Sequence, residues 1–233
     1  HRTTLEVDLD AILGNLQAYT RHLESSTATM AVVKASAYGS GSAEVARLLE
    51  FHKVDYLAVA YADEGVELRR EGVRLPILVL NTDEAGFPLL RLHRLEPEVY
   101  SLKQLRSLIR YLAGATPPLA VQLMLDTGMH RLGFELHDLP DLLHLLEEPS
   151  IRVSGIFSHL VASDDPAHDA FTRQQASLFL EMYETISQKL GYRPPRHLLN
   201  TAGIIRFPEY QFEMVRLGIG LYGIDNSGLL KED

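Results

Sequence analysis

Short runs rich in Val, Ile and Leu recur along this chain, and stretches with helical spacing separate them. Strands that are apolar on both faces must be covered on both faces, which calls for a parallel sheet sheathed by helices. The runs predict strands at 30–34, 56–60, 77–80, 98–100, 119–125, 151–158, 196–200 and 214–217, preceded by an additional N-terminal strand at 4–8. Eight strand–helix units suggest closure into an α/β barrel of the (β/α)8, TIM type, with a doubly wound open sheet as the alternative. Asp10 is expected to cap a helix with Ile12, Leu16, Tyr19 and Leu23 on one face. The longest helix is expected over 167–190, with Phe171, Leu178, Met182 and Ile186 on one side and a stop at Gly191.

Composition narrows the function. The 233 residues carry 22 Lys and Arg against 31 Asp and Glu, a net charge of −9, with no basic run to neutralise nucleic-acid phosphates. No apolar stretch is long enough to span a bilayer, and no linker or repeat divides the chain, so one domain over 1–233 is expected. The absence of cysteine excludes disulfides and thiolate-held metals, and the ten histidines show no metal-ligand spacing. The chain lacks an initiator Met and ends in a polar stretch, which suggests a piece of a longer polypeptide.

In a barrel of this kind, functional side chains gather at the C-terminal ends of the strands. Lys34 stands there, within Val33-Lys-Ala-Ser-Ala-Tyr-Gly-Ser-Gly41. Partial desolvation at a strand end favours the neutral amine, a nucleophile for aldehydes; the plainer alternative is a lysine snorkelling to solvent. Arg131, in Asp126-Thr-Gly-Met-His-Arg-Leu-Gly133, suits a carboxylate or phenolate oxygen, or is simply an exposed turn residue. His159 is a candidate acid/base or orienting partner. Asn200 and Thr201 offer donors to a phosphate, although both residue types are also ordinary helix caps. Arg216 lies inside an apolar strand and needs a partner there, either a heteroaromatic nitrogen or a carboxylate such as Glu213 or Asp225.

Taken together, these segments and Val215-Arg-Leu-Gly-Ile219, in this order along nearly the whole chain, resemble the fold-type III pyridoxal-phosphate enzymes and, within them, the alanine racemase family. The resemblance implies that Lys34 bonds pyridoxal 5'-phosphate covalently and acts as the base on one face of the bound amino acid. Arg216 would donate to the pyridine nitrogen, leaving it unprotonated and favouring return of the proton to Cα over transamination. Tyr38, Asn200, Thr201, Gly218 and Ile219 would hold the cofactor, chiefly its phosphate, with the last two acting through their backbones. His159 would buttress Arg216 and the opposite base, and Arg131 would contact the cofactor's phenolic oxygen and the substrate. It further implies a cytoplasmic isomerase that supplies D-alanine for peptidoglycan, acts on a small amino acid and forms a head-to-tail homodimer. The second base would be a tyrosine of a β-rich C-terminal domain that is not part of this chain.

Met124 departs from the pattern: many members carry there a lysine, often carbamylated, that fixes the neighbouring arginine, so Arg131 is expected to be less well oriented or held by something else. Three alternatives stay open alongside this reading. One is a single-domain pyridoxal-phosphate carrier, another is a racemase for a different amino acid, and the third is fusion to a cell-wall ligase that joins a UDP-linked muramoyl tripeptide to D-alanyl-D-alanine.

Overall fold

A computed structural model describes residues 3–225 and 227–229. The ends of the expected 1–233 domain therefore lie in part outside the described residues. The eight strands close into a single parallel barrel in sequence order. They are β1 (Ala28–Val32), β2 (Tyr56–Val59), β3 (Ile77–Val79), β4 (Glu96–Val99), β5 (Leu119–Met124), β6 (Ile151–Phe157), β7 (Arg196–His197) and β8 (Met214–Leu217). β8 pairs back onto β1 with Arg216 beside Met30, so the open doubly wound sheet is ruled out.

Alternation along the strands divides the apolar residues into two cores. Met30, Val32, Ala58, Leu78, Met124 and Phe157 fill the barrel's interior. Ala31, Val33, Leu57, Val59, Leu123 and Val215 face outward and pack against the helices. The helices that carry this outer layer include α1 (Leu9–Thr20), α2 (Lys34–Tyr38), α3 (Ser42–Phe51) and α4 (Ala62–Arg70). After them come α5 (Phe87–Leu92), α6 (Leu102–Tyr111), α7 (Leu139–Leu145), α8 (Asp169–Leu190) and α9 (Thr201–Arg206).

Several expectations need correction. No strand forms at 4–8: these residues have no regular secondary structure and are exposed, with Leu5 76% and Val7 37% accessible, and no described strand pairs with them. The cap of α1 is Asp8 rather than Asp10, its Oδ1 accepting from Ala11 N at 3.0 Å. Ile12, Leu16 and Tyr19 are buried as expected. α8 starts at Asp169, after a 3-10 turn at Pro166–His168, and its most buried stripe runs through Phe179, Met182, Tyr183 and Ile186. Phe171 and Leu178 lie at the edge of that stripe. Gly191 ends the helix in the left-handed conformation, φ 72°.

Seven of the eight strands stop one to three residues short of their expected ends. β7 is the extreme case, since Asn200 leaves the strand to cap α9.

Candidate active site at the barrel mouth

β1 ends at Val32, so Lys34 belongs to the turn after the strand rather than to the strand itself. That turn is unusual. Ala35, Ser36, Ala37 and Tyr38 all have φ of 53–55°, and Gly39 follows at 91°. Left-handed backbone costs an L-residue roughly 1–2 kcal/mol, and natural chains seldom stack four such residues. Local hydrogen bonds offset the cost: Gly39 N donates to Ala35 O at 3.0 Å and Gly41 N to Ser36 O at 2.9 Å. Glu64 of α4 anchors the turn from outside. Its Oε1 accepts from Ala35 N at 2.8 Å, while its Oε2 accepts from Ala60 N at 2.6 Å and Tyr61 N at 3.3 Å. Lys34 is thus a half-buried side chain on a tightly specified backbone.

Arg131 sits at the tip of the loop that follows β5. Asp126 builds this loop, its Oδ1 accepting from Gly128 N at 2.9 Å and His130 N at 3.1 Å. Gly133 closes it at φ 127°, where a Cβ would lie 2.4 Å from Asp126 N. Gly133→Ala is therefore expected to destabilise the fold by about 3 kcal/mol or more, through overpacking and backbone strain together. It should also displace Arg131; a denaturant titration and the substrate KM are the measurements that check both effects. Arg131 is exposed and makes no hydrogen bond among the described residues.

Arg216 is the opposite case, 5% exposed and closely surrounded. Its NH1 donates to His197 O at 2.7 Å and to His197 Nδ1 at 2.9 Å. Its NH2 donates to Ser158 O at 2.6 Å and Leu198 O at 3.2 Å, with His159 Nδ1 at 3.4 Å. Four of its five N–H donors are thereby committed, and Nε–H makes no hydrogen bond among the described residues. Behind Arg216 runs a buried chain: His197 Nε2 lies 2.8 Å from Gln122 Oε1, and Gln122 Nε2 donates to Glu96 at 2.9 Å. Because Gln122 offers His197 an acceptor, the proton sits on Nε2 and Nδ1 is free to receive Arg216. Burial brings Arg216 down to about 10, so it remains a cation at neutral pH, with Glu98 opposing the shift.

Of the carboxylates suggested as partners of Arg216, Glu213 is corrected by the structure. Glu213 pairs with Arg196, accepting from its Nε at 2.9 Å and NH2 at 2.6 Å, and the acid facing Arg216 is Glu98. His159, which faces Arg216, is brought down to about 3 by burial and by the nearby Arg216, Arg131 and Lys34 cations. It is neutral in the folded protein but takes a proton when the chain unfolds below its ordinary value of 6.5. Its stabilising contribution is therefore intact above pH 6.5 and is lost as the pH falls towards 3. Between pH 6.5 and pH 5 the loss is about 2 kcal/mol from this residue, with His197 acting in the same direction. Urea titrations at the two pH values check it, and His159→Asn should flatten the difference.

Tyr38, Thr201 and Gly218 meet on the β8 side of the mouth. A Cβ on Gly218 would lie 3.5 Å from Tyr38 OH and 3.8 Å from Thr201 Oγ1. Thr201 Oγ1 accepts from Gly218 N at 3.1 Å and Gly220 N at 3.3 Å, so its own hydrogen remains to be donated. Ile219 follows in the same turn. Asn200 is more committed: its Oδ1 accepts from Gly203 N and Ser163 Oγ, and its Nδ2 donates to Leu160 O. The structural role of a cap accounts for it.

All nine expected site residues line one cavity of about 460 Å³ at the C-terminal mouth of the barrel: Lys34, Tyr38, Arg131, His159, Asn200, Thr201, Arg216, Gly218 and Ile219. The buried residues Glu98 and Met124 line it too. Sequence reasoning missed Glu64, Glu98, Gln122 and His197. Of these only Gln122 carried a usable signal, as the one polar residue inside the apolar strand Leu119–Met124, the same feature that singled out Arg216. Elsewhere, Asp126, His130 and Glu135 bring ligand-type atoms within 4.8 Å of one another beside the Arg131 loop.

The donor set fits pyridoxal phosphate. Arg216 lines the cavity with an Nε–H that makes no hydrogen bond among the described residues, a hydroxyl and small-residue cradle stands at one side, and the Lys34 amine lines the cavity as well. This is a TIM-type α/β barrel with a cavity at the C-terminal ends of its strands. The profile of the family described as alanine racemase, N-terminal domain, matches residues 7–226, and the chain belongs to that family. Alanine racemase 2 of Bacillus subtilis is 36% identical over 98% of this chain and 59% of its own length. The alanine racemase of Geobacillus stearothermophilus is 37% identical over 99% of this chain and 59% of its own length. A solved alanine racemase of Clostridium difficile 630, in complex with cycloserine, superposes with a TM-score of 0.90 at 33% identity, covering 96% of this chain and 63% of that one. The chain thus spans about 60% of the length of the curated relatives it matches. No described helix is long and apolar enough to cross a membrane.

Proposed function

We propose that the intact protein interconverts L-alanine and D-alanine with pyridoxal phosphate held at the barrel mouth. The observation that carries this reading is the convergence of Lys34 and the unpaired Nε–H of Arg216 on one cavity. When bound, pyridoxal phosphate supplies an electron sink that acidifies the Cα–H of an amino acid joined to its aldehyde carbon.

The chain's own residues do the rest. Lys34 would hold the cofactor's aldehyde end and would take or return the Cα proton on its own face through Nζ. Arg216, a cation at neutral pH, donates through Nε–H to the heteroaromatic nitrogen and holds it unprotonated. This restricts charge spreading into the ring and favours return of the proton to Cα. Tyr38, Thr201 and the backbone at Gly218 and Ile219 hold the phosphate, and Arg131 receives the substrate carboxylate.

Inversion needs a second base on the opposite face. His159 is a poor candidate because its proton affinity is too low, so we assign that role to a residue outside this chain, in keeping with a head-to-tail dimer. The biological setting proposed is cytoplasmic supply of D-alanine for peptidoglycan. Incubation of the intact protein with L-alanine and pyridoxal phosphate tests the reading: D-alanine should accumulate to an equimolar mixture. Cofactor-saturated protein that leaves L-alanine unchanged would refute it.

A further inference from the structure

One ionisable side chain of the cavity has no place in the scheme above. Glu98 is the third residue of β4, paired in register with Gln122 of β5 and 4% exposed, yet its side chain reaches the cavity that holds Lys34, Arg131 and Arg216. Glu96, two residues earlier on the same inner face, is fully engaged by Gln122 Nε2 at 2.9 Å, Ser154 Oγ at 2.7 Å and Tyr56 OH at 3.4 Å. The carboxyl of Glu98, by contrast, makes no hydrogen bond and no ion pair within 4 Å among the described residues.

A buried carboxyl without a bonded partner is held in balance by its surroundings. Three cations face it from different elements: Arg216 on β8, Arg131 after β5 and Lys34 after β1. His159 and His197 stand by as neutral rings, and Tyr56 and Glu96 are bonded to each other deeper in the barrel. Tyr38 lies on the phosphate side, Tyr100 follows Glu98 on its own element, and Asp164, the other acid of the cavity wall, is exposed at the rim. The cavity therefore carries an excess of positive charge, with Glu98 as its buried acid.

We propose that Glu98 balances the charge of the cavity, exchanging its proton with solvent against Arg216, Arg131 and Lys34 while no anion is present and holding that proton when an anionic ligand enters. The inference rests on reading the cavity as a pyridoxal-phosphate site. Burial pushes the carboxyl up to about 8 while the three cations pull it down, so it is poised to respond to a further charge. A phosphate and a substrate carboxylate would neutralise those cations, tipping Glu98 to the protonated form. Binding of the anion then weakens as the pH rises through this range.

The test uses the intact apoprotein and 4'-deoxypyridoxine 5'-phosphate, which has the ring and phosphate but no aldehyde and so leaves Lys34 unreacted. Calorimetry in buffers of different ionisation enthalpy at pH 8 counts the protons bound with the ligand. The wild type is expected to take up about half a proton more than Glu98→Gln, because a group titrating near 8 begins half protonated. Equal proton uptake in the two proteins overturns the charge-balancing role while leaving the cofactor site standing. Failure of the wild type to bind the ligand overturns the site reading, and this inference with it. Should Glu98→Gln not fold, infrared difference spectra of the wild type decide: a protonated-carboxyl band gained on binding supports the proposal, and its absence overturns it.

Discussion

Lys34→Ala is expected to lower racemisation by the intact protein by about 10³-fold or more while leaving the barrel as stable as before. Both halves of this expectation come from the same geometry. The ammonium or amine of Lys34 makes no hydrogen bond or ion pair among the described residues, so its removal orphans nothing. Stability should therefore change within about 0.5 kcal/mol, as for an ordinary surface substitution. Catalysis loses both the anchor for the aldehyde and the base on one face. Racemisation kinetics together with thermal melts of the two proteins make the comparison. An added small primary amine should restore part of the rate, because it replaces the missing base and not a missing fold contact. Near-wild-type turnover in the variant would remove Lys34 from the chemistry.

Arg216→Met reverses the pattern, with the largest effect on the fold. The guanidinium satisfies the carbonyls of Ser158, His197 and Leu198 and the Nδ1 of His197 at the centre of the barrel. A methionine of similar length leaves these acceptors buried without donors and removes the cation opposite Glu98. The expected cost is about 3–5 kcal/mol, or roughly 10 °C in melting temperature for a domain of this size. Arg216→Lys should recover part of the stability, because it keeps the charge, but not the planar fork that reaches four acceptors at once. Whatever activity survives should show more transamination per racemisation event, since nothing then holds the heteroaromatic nitrogen unprotonated. Pyridoxamine formation measured alongside D-alanine reads that ratio directly.

The architecture was legible because a parallel barrel writes itself as buried β-strands at regular intervals, and all eight strands fall where the Val, Ile and Leu runs stand. The segment at 4–8 looked alike to that criterion, yet pairing requires a neighbour's open edge, and a closed barrel offers none. Strand ends were misjudged for a related reason: Lys34 and Asn200 continue apolar runs in sequence but turn off the ladder in space. The site residues were legible as polar side chains standing at the C-terminal ends of apolar runs or, for Arg216, inside one. What remained hidden were the partners. His197 stands on β7, the neighbour of β8, but Gln122 and Glu98 come from β5 and β4, and closure of the barrel brings them to the side where His197 and Arg216 meet. The left-handed run from Ala35 to Tyr38 was equally invisible, because neither alanine nor serine announces a positive φ.

The central claim is that the amine at position 34 is the one presented to a cofactor aldehyde whose ring extends towards Arg216. Reduction of the intact protein with borohydride in the presence of pyridoxal phosphate, followed by proteolysis and mass spectrometry, locates the bonded lysine. The account predicts a stable pyridoxyl label on Lys34. A label confined to Lys53, Lys103 or Lys189, with the Lys34 peptide recovered unmodified, would contradict it.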